Sequence, residues 1–307
     1  MKETHLSLDT LVGMAVFARV VDDGGFSAAA RRLGLSKSAV SKQVAALEDR
    51  LGARLLNRTT RRMSLTEAGS ALIERCRRVL AEAEAAEDAV GMLQGAPAGV
   101  LRVAAPMTFG TMHLAPAIPD FLERHPGVSI DLSLNDRMID LVEEGFDVAV
   151  RIARLADSSL MARKLAPMRR IMAASPDYLA RRGVPARLAD LAGHDCLSYS
   201  YIATGDEWSF TGPDGEQSVR PSGRLRANNG EVLRAAALAG TGIATMPTFI
   251  AGPDLAAGRL VRVLPDYDNC SGAIYAVWPS DRHPSPKLRA FVDFLAERFG
   301  PSPYWEP

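Results

Sequence analysis

The chain has 307 residues, 47% of them hydrophobic and 23% charged, and its 36 basic residues balance 36 acidic ones, which is the composition of a soluble globular protein with room for more than one domain. Cys76, Cys196 and Cys270 are odd in number and widely spaced, and His5, His113, His125, His194 and His283 lack ligand spacing, so neither a disulfide framework nor a zinc site is indicated. Asp9, Gly13 and Arg19 interrupt the N-terminal apolar residues, which argues against a signal peptide or membrane span and for a cytoplasmic protein.

The charge is unevenly spread. Residues 1–65 carry eleven basic and six acidic side chains, a surplus of five, so the remainder carries a deficit of five. A basic end on a neutral chain implies a polyanion-binding head on a body with another task. Leu11 to Val21 is apolar on one helical face, Gly24-Gly25 interrupts it, and Phe26 to Leu33 forms a short helix. After the tight turn Gly34-Leu35-Ser36, Lys37 to Glu48 forms a third helix, capped by Ser36. Val40, Val44 and Leu47 recur at helical spacing and point into a small core. Lys37, Ser38, Ser41 and Lys42 lie on the opposite side and carry groups that hydrogen-bond bases and phosphates. Leu55 to Leu65 reads as a two-stranded wing whose tip holds Arg58, Thr59, Arg61 and Arg62. All four, with Arg31 of the second helix, suit phosphates or a minor groove, and Ser36 belongs to the same candidate DNA-binding set. An ordinary helical subdomain with a solvated basic face is the alternative. It does not account for Lys and Ser on one helix face followed by an Arg-tipped hairpin.

Phe17, Gly25 to Leu33, Ser36 to Gln43, Leu47-Glu48, Leu51-Gly52, Leu55 to Arg58 and Leu65 to Gly69 together resemble the winged helix-turn-helix of LysR-type transcriptional regulators, without a gap. A lone helix-turn-helix pattern says little; this ordered set is specific.

Thr66 caps the next helix, with Glu67 in its first turn. Ala68, Leu72, Cys76, Val79, Ala83, Ala86, Val90 and Leu93 follow at spacings of three and four, which is a coiled-coil seam. From Leu72 to Leu93 this seam is expected to pair with a second copy of the chain; packing on the chain's own downstream domain is the alternative. Gly91 and the run Gly95 to Gly99 end the helix in a hinge. The expected domains are a winged helix-turn-helix over 1–65, a linker helix over 66–94, a hinge over 95–99 and an effector-binding domain over 100–307.

Beyond the hinge, strands and helices alternate. Strands are predicted at Val100–Ala105, Val128–Leu134 and Val148–Arg151, and helices at Thr111–Arg124 and Met138–Glu144. This order implies parallel βαβ units. A second region starts near Met168, with strands at Arg170–Ala174 and Cys196–Tyr199, a hairpin over Glu207–Val219 and a strand at Arg224–Ala227. A helix over Gly230–Ala239 and strands at Gly242–Met246 and Leu260–Val263 follow. Ile274–Trp278 returns to the first region, and Pro286–Phe299 is a closing helix. The α/β body, with subdomain I at about 100–167 and 273–307 and subdomain II at about 168–272, resembles the LysR effector-binding domain, similar in fold to periplasmic solute-binding proteins.

In open α/β sheets ligands bind at strand carboxyl ends, near helix N-termini. Pro106 and Thr108 follow the first strand, Asn135 and Asp136 the second, and Arg151 ends the third. Ser198 lies in the strand of the second region, Asn229 precedes a helix and Thr248 follows another strand. The resemblance places Thr108, Arg151, Ser198, Asn229 and Thr248 in an effector cleft between the subdomains. Thr108 and Asn229 also read as helix caps, which does not exclude ligand contact, and Arg151 reads either as a carboxylate or phosphate ligand or as the partner of Asp147 or Asp136. No phosphate loop, dinucleotide fingerprint, nucleophile elbow or metal cluster is found, so neither an enzyme nor a cofactor is expected. A solute-binding module for transport is disfavoured by the basic head and the absence of an export signal. Cys196 and Cys270 are either buried thiols or a redox pair. Expected partners are double-stranded DNA, an unknown small-molecule effector, a second copy (a dimer, and by the resemblance a tetramer) and RNA polymerase, with no membrane.

Overall fold

The computed structural model describes residues 7–306 apart from 59–62, 95, 138–139, 142, 154–159, 202–206, 268 and 281–283, and for 58, 81, 84–94 and 269–271 it describes the main chain alone. The chain forms two compact units, Met1–Val90 with Val142–Gly145 and Gly91–Leu141 with Phe146–Pro307.

The first unit opens with α1 (Leu8–Asp22), α2 (Phe26–Leu33) and α3 (Lys37–Leu51). Ser7 caps α1 through the Asp9 amide, and Gly34 ends α2 in the left-handed conformation, at φ 64°, where a Cβ would be strained. Val40, Val44 and Leu47 of α3 are buried with Phe17 and Val20 of α1. Burying a large apolar side chain of this kind contributes about 1.5–3 kcal/mol relative to exposure. The strands β1 (Leu56–Arg58) and β2 (Met63–Leu65) pair antiparallel. The long helix α4 (Glu67–Gln94) follows. Thr66 caps it by accepting the Gly69 amide at 3.0 Å, and its hydroxyl donates to the Arg54 carbonyl at 2.6 Å. Gly69 lets α4 approach the wing, because a Cβ there would stand 2.1 Å from the Leu55 carbonyl oxygen.

The second unit is built on nine strands. The strands β3 (Gly99–Ala105), β4 (Val128–Leu134) and β5 (Val148–Ala153) form a parallel set, with β3 between the other two. Two long strands, β6 (Leu160–Ala174) and the last one, carry the sheet onward. Next in the chain come β7 (Cys196–Tyr199), the separate hairpin of β8 (Trp208–Gly212) and β9 (Gly215–Val219), then β10 (Arg226–Ala227), β11 (Ile243–Pro247), β12 (Val261–Val263) and β13 (Asn269–Pro279). The order is β10-β7-β11-β6-β13-β5-β3-β4, with β12 also on β6. Leu160–Met168 and Arg170 of β6 pair with β13, and Arg170–Ala174 pair with β11 and β12 on the other edge. One continuous strand therefore serves both halves of the sheet.

Helices cover the sheet: α5 (Met107–Phe109), α6 (Ile118–Arg124), α7 (Pro176–Arg182), α8 (Gly230–Leu238), α9 (Thr248–Ala256) and α10 (Pro286–Phe299). Three expectations need correction. The helix predicted over Thr111–Arg124 is broken: α5 passes into a π turn at Gly110–Leu114, and α6 starts only at Ile118. Pro116 lacks the amide that a continuous helix needs, and Gly110 is so close to Leu134 that a Cβ would meet its Cδ2 at 2.2 Å. The helix predicted over Met138–Glu144 does not form among its described residues, which run in turns, while 138, 139 and 142 lie outside them. The helices α7 and α9 were not anticipated. In α9, Gly252-Pro253 reads as a helix breaker. Pro253 has no amide for the Phe249 carbonyl four residues back, and the buried His113 satisfies that carbonyl instead, Nε2–H donating at 2.9 Å. Gly252 also fits against the C-terminal segment, where a Cβ would stand 2.1 Å from the Trp305 carbonyl oxygen.

Candidate nucleic-acid interface and ligand cleft

The Ser36 hydroxyl accepts the Ala39 amide at 3.1 Å and lies 2.9 Å from the Ser38 hydroxyl. It is thus an N-cap, and it orients the first turn of α3. Lys37, Ser38 and Lys42 are exposed, Ser41 is half-buried, and Arg31 of α2 is exposed. The apolar residues Val40, Val44 and Leu47 turn the other way, into the core. The face of α3 that carries the donors is therefore the face left open. Arg58 lies on β1 opposite Met63, with only its main chain described, and Thr59, Arg61 and Arg62 fall outside the described residues.

A buried carboxylate holds the wing on α3. Glu48 is 3% exposed. Its Oε1 accepts the Leu55 and Leu56 amides at 2.8 and 3.2 Å, and its Oε2 accepts from Arg54 at 3.1 Å. The sequence reading counted Glu48 only as a charge and as part of the family pattern. The signal available was its place one residue after core Leu47, where an acid must be paired or pay desolvation.

The seam expected on α4 mixes two faces. Ile73 and Cys76 are buried inside the head's own core, with Leu72 and Leu80 packed partly against it. Burial pushes the Cys76 thiol up to about 11. Cys76 therefore does not belong to an open seam, because the helix starts by packing on its own head. Arg77 adds ion pairs to Asp22 at 2.6 Å and to Glu74 at 2.7 Å. Val79 is 42% exposed and Ala83 is exposed. The side chains of Ala86, Val90 and Leu93 are not described.

In the second unit, Pro106 precedes α5 and Thr108 is 4% exposed. Among the described residues its hydroxyl has no hydrogen-bond partner. It faces Gly230, the first residue of α8, where a Cβ would lie 3.4 Å from Thr108 Oγ1 and 2.5 Å from Ile250 Cδ1. Asn229 caps α8 through the Glu231 and Val232 amides at 2.9 and 3.2 Å. Thr108 thus lies against the start of the helix that Asn229 caps. Asp136 Oδ1 accepts the Met107 amide at 2.8 Å and a hydrogen bond from the Tyr199 hydroxyl. Burial raises the pKa of Asp136 above the usual carboxylate range and pushes Tyr199 up to about 12, with the Asp136 charge adding to it.

The other candidates are differently employed. Asn135 is exposed and accepts the Arg137 amide at 2.8 Å. The Thr248 hydroxyl donates to Glu306 Oε1 at 2.6 Å, so it is committed to the C-terminal segment. Ser198 pairs with Arg226 across β7 and β10, and its neighbour Tyr199 is the one that reaches Asp136. Arg151 follows two residues after Ala149, whose strand partner is Ala104, and so stands at the same strand-end edge as Pro106. Asp147, one of its two suggested acids, also accepts the Arg102 amide at 2.8 Å. Tyr199 and Gly230 fall within the strand-end and helix-start runs that the sequence offers, beside Ser198 and Asn229, but only the structure gives them a role, and Arg170 carries no such signal. Cys196 is buried with its thiol pushed up to about 12, whereas the Cys270 side chain lies outside what is described. Among the described residues no cluster of His, Cys, Asp and Glu suits a metal, and no helix is long and apolar enough to cross a membrane.

Two family models match the chain: "Bacterial regulatory helix-turn-helix protein, lysR family" over residues 11–70 and "LysR substrate binding domain" over residues 94–300. The chain is 38% identical to the HTH-type transcriptional regulator PtxR of Pseudomonas aeruginosa, over 98% of this chain and 95% of that protein. It is 39% identical to CrgA of Neisseria meningitidis, over 94% of this chain and 96% of that one. The solved structure of CrgA, a LysR-type transcriptional regulator, matches with a TM-score of 0.61 at 37% identity, covering 95% of this chain and 99% of that chain. The full-length structure of the Vibrio cholerae virulence activator AphB matches with a TM-score of 0.61 at 30% identity, covering 95% and 99%.

Proposed function

The chain belongs to the LysR family of transcriptional regulators, and from that premise we propose which residues carry its DNA-binding and effector-binding roles. Lys37, Ser38, Ser41 and Lys42 read base edges in a major groove. Ser36 holds that helix start in place, and Arg31, Arg58, Thr59, Arg61 and Arg62 grip phosphates or the neighbouring minor groove. The observation that carries this reading is α3 itself: one face buried through Val40, Val44 and Leu47, the other exposing Lys37, Ser38 and Lys42.

In the body, a small-molecule effector sits between the halves of the sheet, against Thr108, Asp136 and Asn229. Pro106, Arg151, Ser198 and Asn135 lie at its margin, and Thr248 supports the wall. The chain assembles as a dimer through the exposed stretch of α4 from Val79 onward, binds paired half-sites and acts on RNA polymerase in the cytoplasm. Pairing of dimers into tetramers extends the same reading. No catalytic step is assigned to it, in keeping with relatives that are transcriptional regulators.

A mobility-shift titration tests the DNA assignment, with the DNA upstream of this protein's own gene against random DNA of equal length. A preference for the upstream DNA, with affinity falling steeply as salt rises, is expected. Equal affinity for both would remove sequence recognition from the account.

A further inference from the structure

Arg170 lies where β6 passes between the two halves of the sheet, opposite Pro247 at the end of β11. Its side chain is half-buried, and withdrawal of the guanidinium from water lowers its pKa from the ordinary arginine value. Among the described residues no carboxylate pairs with it, and the Tyr199 phenol lies within its electrostatic reach. Tyr199 in turn bonds Asp136, and Asp136 bonds the amide beside Thr108. A desolvated arginine, a buried hydroxyl that has no partner among the described residues and the N-terminus of the nine-residue α8 are thereby linked through Tyr199, Asp136 and the Met107 amide. Asn229 occupies the Glu231 and Val232 amides, which leaves the first amide of α8, on Gly230, among the unsatisfied donors of a helix start. An unpaired buried cation is costly, and its natural complement is an anion that arrives with the ligand. A guanidinium fork fits a carboxylate with two parallel hydrogen bonds. Asp136 stands in the same cluster, so a dianion would meet repulsion that a single carboxylate does not.

We propose that the cleft takes a small monocarboxylic acid, its carboxylate paired with Arg170 and its remainder directed toward Thr108 and the Gly230 amide. This inference rests on the effector-cleft reading above and assigns it a ligand class. The test uses the full chain, with acetate, lactate, butyrate and benzoate, each beside its primary amide, at about 10 mM in thermal-shift measurements followed by titration calorimetry. At least one acid should raise the melting temperature by a few degrees where its amide does not. Arg170→Gln should abolish that shift, Arg170→Lys should weaken binding at least about tenfold because the fork is lost, and exposed Arg169→Gln should leave it intact. Without ligand, Arg170→Gln should melt no lower than the parent, since it removes an unpaired charge; a structural arginine would behave in the opposite way. If no acid acts, if acid and amide act alike, or if the shift survives Arg170→Gln, the carboxylate assignment is overturned. Should an amide bind and lose its effect in Thr108→Met, the cleft stands and only the ligand class falls. A shift that survives both Arg170→Gln and Thr108→Met puts the ligand outside the cleft and overturns both.

Discussion

The carboxylate of Glu48 accepts the two main-chain amides that begin the wing, so Glu48→Ala leaves two buried donors unsatisfied. Each is expected to cost about 1–3 kcal/mol, read as a lower urea midpoint for the first unit in the full chain; an unchanged midpoint would mean that water or another group replaces the carboxylate without loss. In the second unit, His113 Nε2 must donate to the Phe249 carbonyl, which leaves Nδ1 to accept from the Tyr304 hydroxyl at 2.8 Å. The bond from Tyr304 requires the neutral ring, whereas the Phe249 bond holds in either state, and burial lowers the pKa of His113 from the ordinary value of 6.5. The folded state therefore binds the His113 proton less readily than the unfolded chain does. Its contribution to stability is complete above pH about 6.5 and is lost as pH falls below that value toward the lowered folded pKa. Melting temperatures between pH 7 and pH 5 should fall less steeply in His113→Gln than in the parent; parallel slopes would contradict the assignment. Residue-scale detail was the least legible part of the sequence. Ser198 and Tyr199 point to opposite faces of one strand, and nothing in their spacing says which meets Asp136. That Tyr199 comes near Arg170 is likewise set by which strands the sheet brings side by side, which no local pattern encodes.

At the scale of elements, periodicity located α1, α2, α3, α8, α10 and the parallel strands well, because each pairs a buried face with a cap or glycine stop. It failed where tertiary contacts repair a local fault. The helix α9 survives Pro253 because His113 takes the stranded carbonyl, and α5 gives way to a π turn where Gly110 packs on Leu134. The α4 seam shows the same limit: spacings of three and four fit two adjacent helix faces equally well, and Ile73 with Cys76 chose the head's core. The two faces predict different failures. Cys76→Asp places a charge in that core and should unfold the head. Val79→Asp, at an exposed position, should leave the head's circular dichroism intact while lowering the mass measured by light scattering. A full parental mass for Val79→Asp would move the self-association surface elsewhere.

At the scale of the whole molecule, the basic surplus of residues 1–65 and the alternating strands beyond the hinge mark a head and a body in the sequence itself. The body's use depends on a ligand that prefers one arrangement of the sheet halves over another, since equal affinity for both shifts nothing. Thr108→Met fills the space beside Gly230, so it should abolish ligand-induced change in DNA binding while leaving ligand-free DNA affinity within about twofold, a difference of roughly 0.4 kcal/mol. A parental ligand response in that variant would take the switch away from Thr108. The central claim is that the open face of α3 reads DNA, and footprinting of the upstream region with parent and Lys42→Ala tests it most directly. The account predicts that the parent protects a defined dyad-related site, and that Lys42→Ala loses about 1–3 kcal/mol of preference for it over random DNA while still binding both. A parental footprint and an unchanged preference in Lys42→Ala would contradict it.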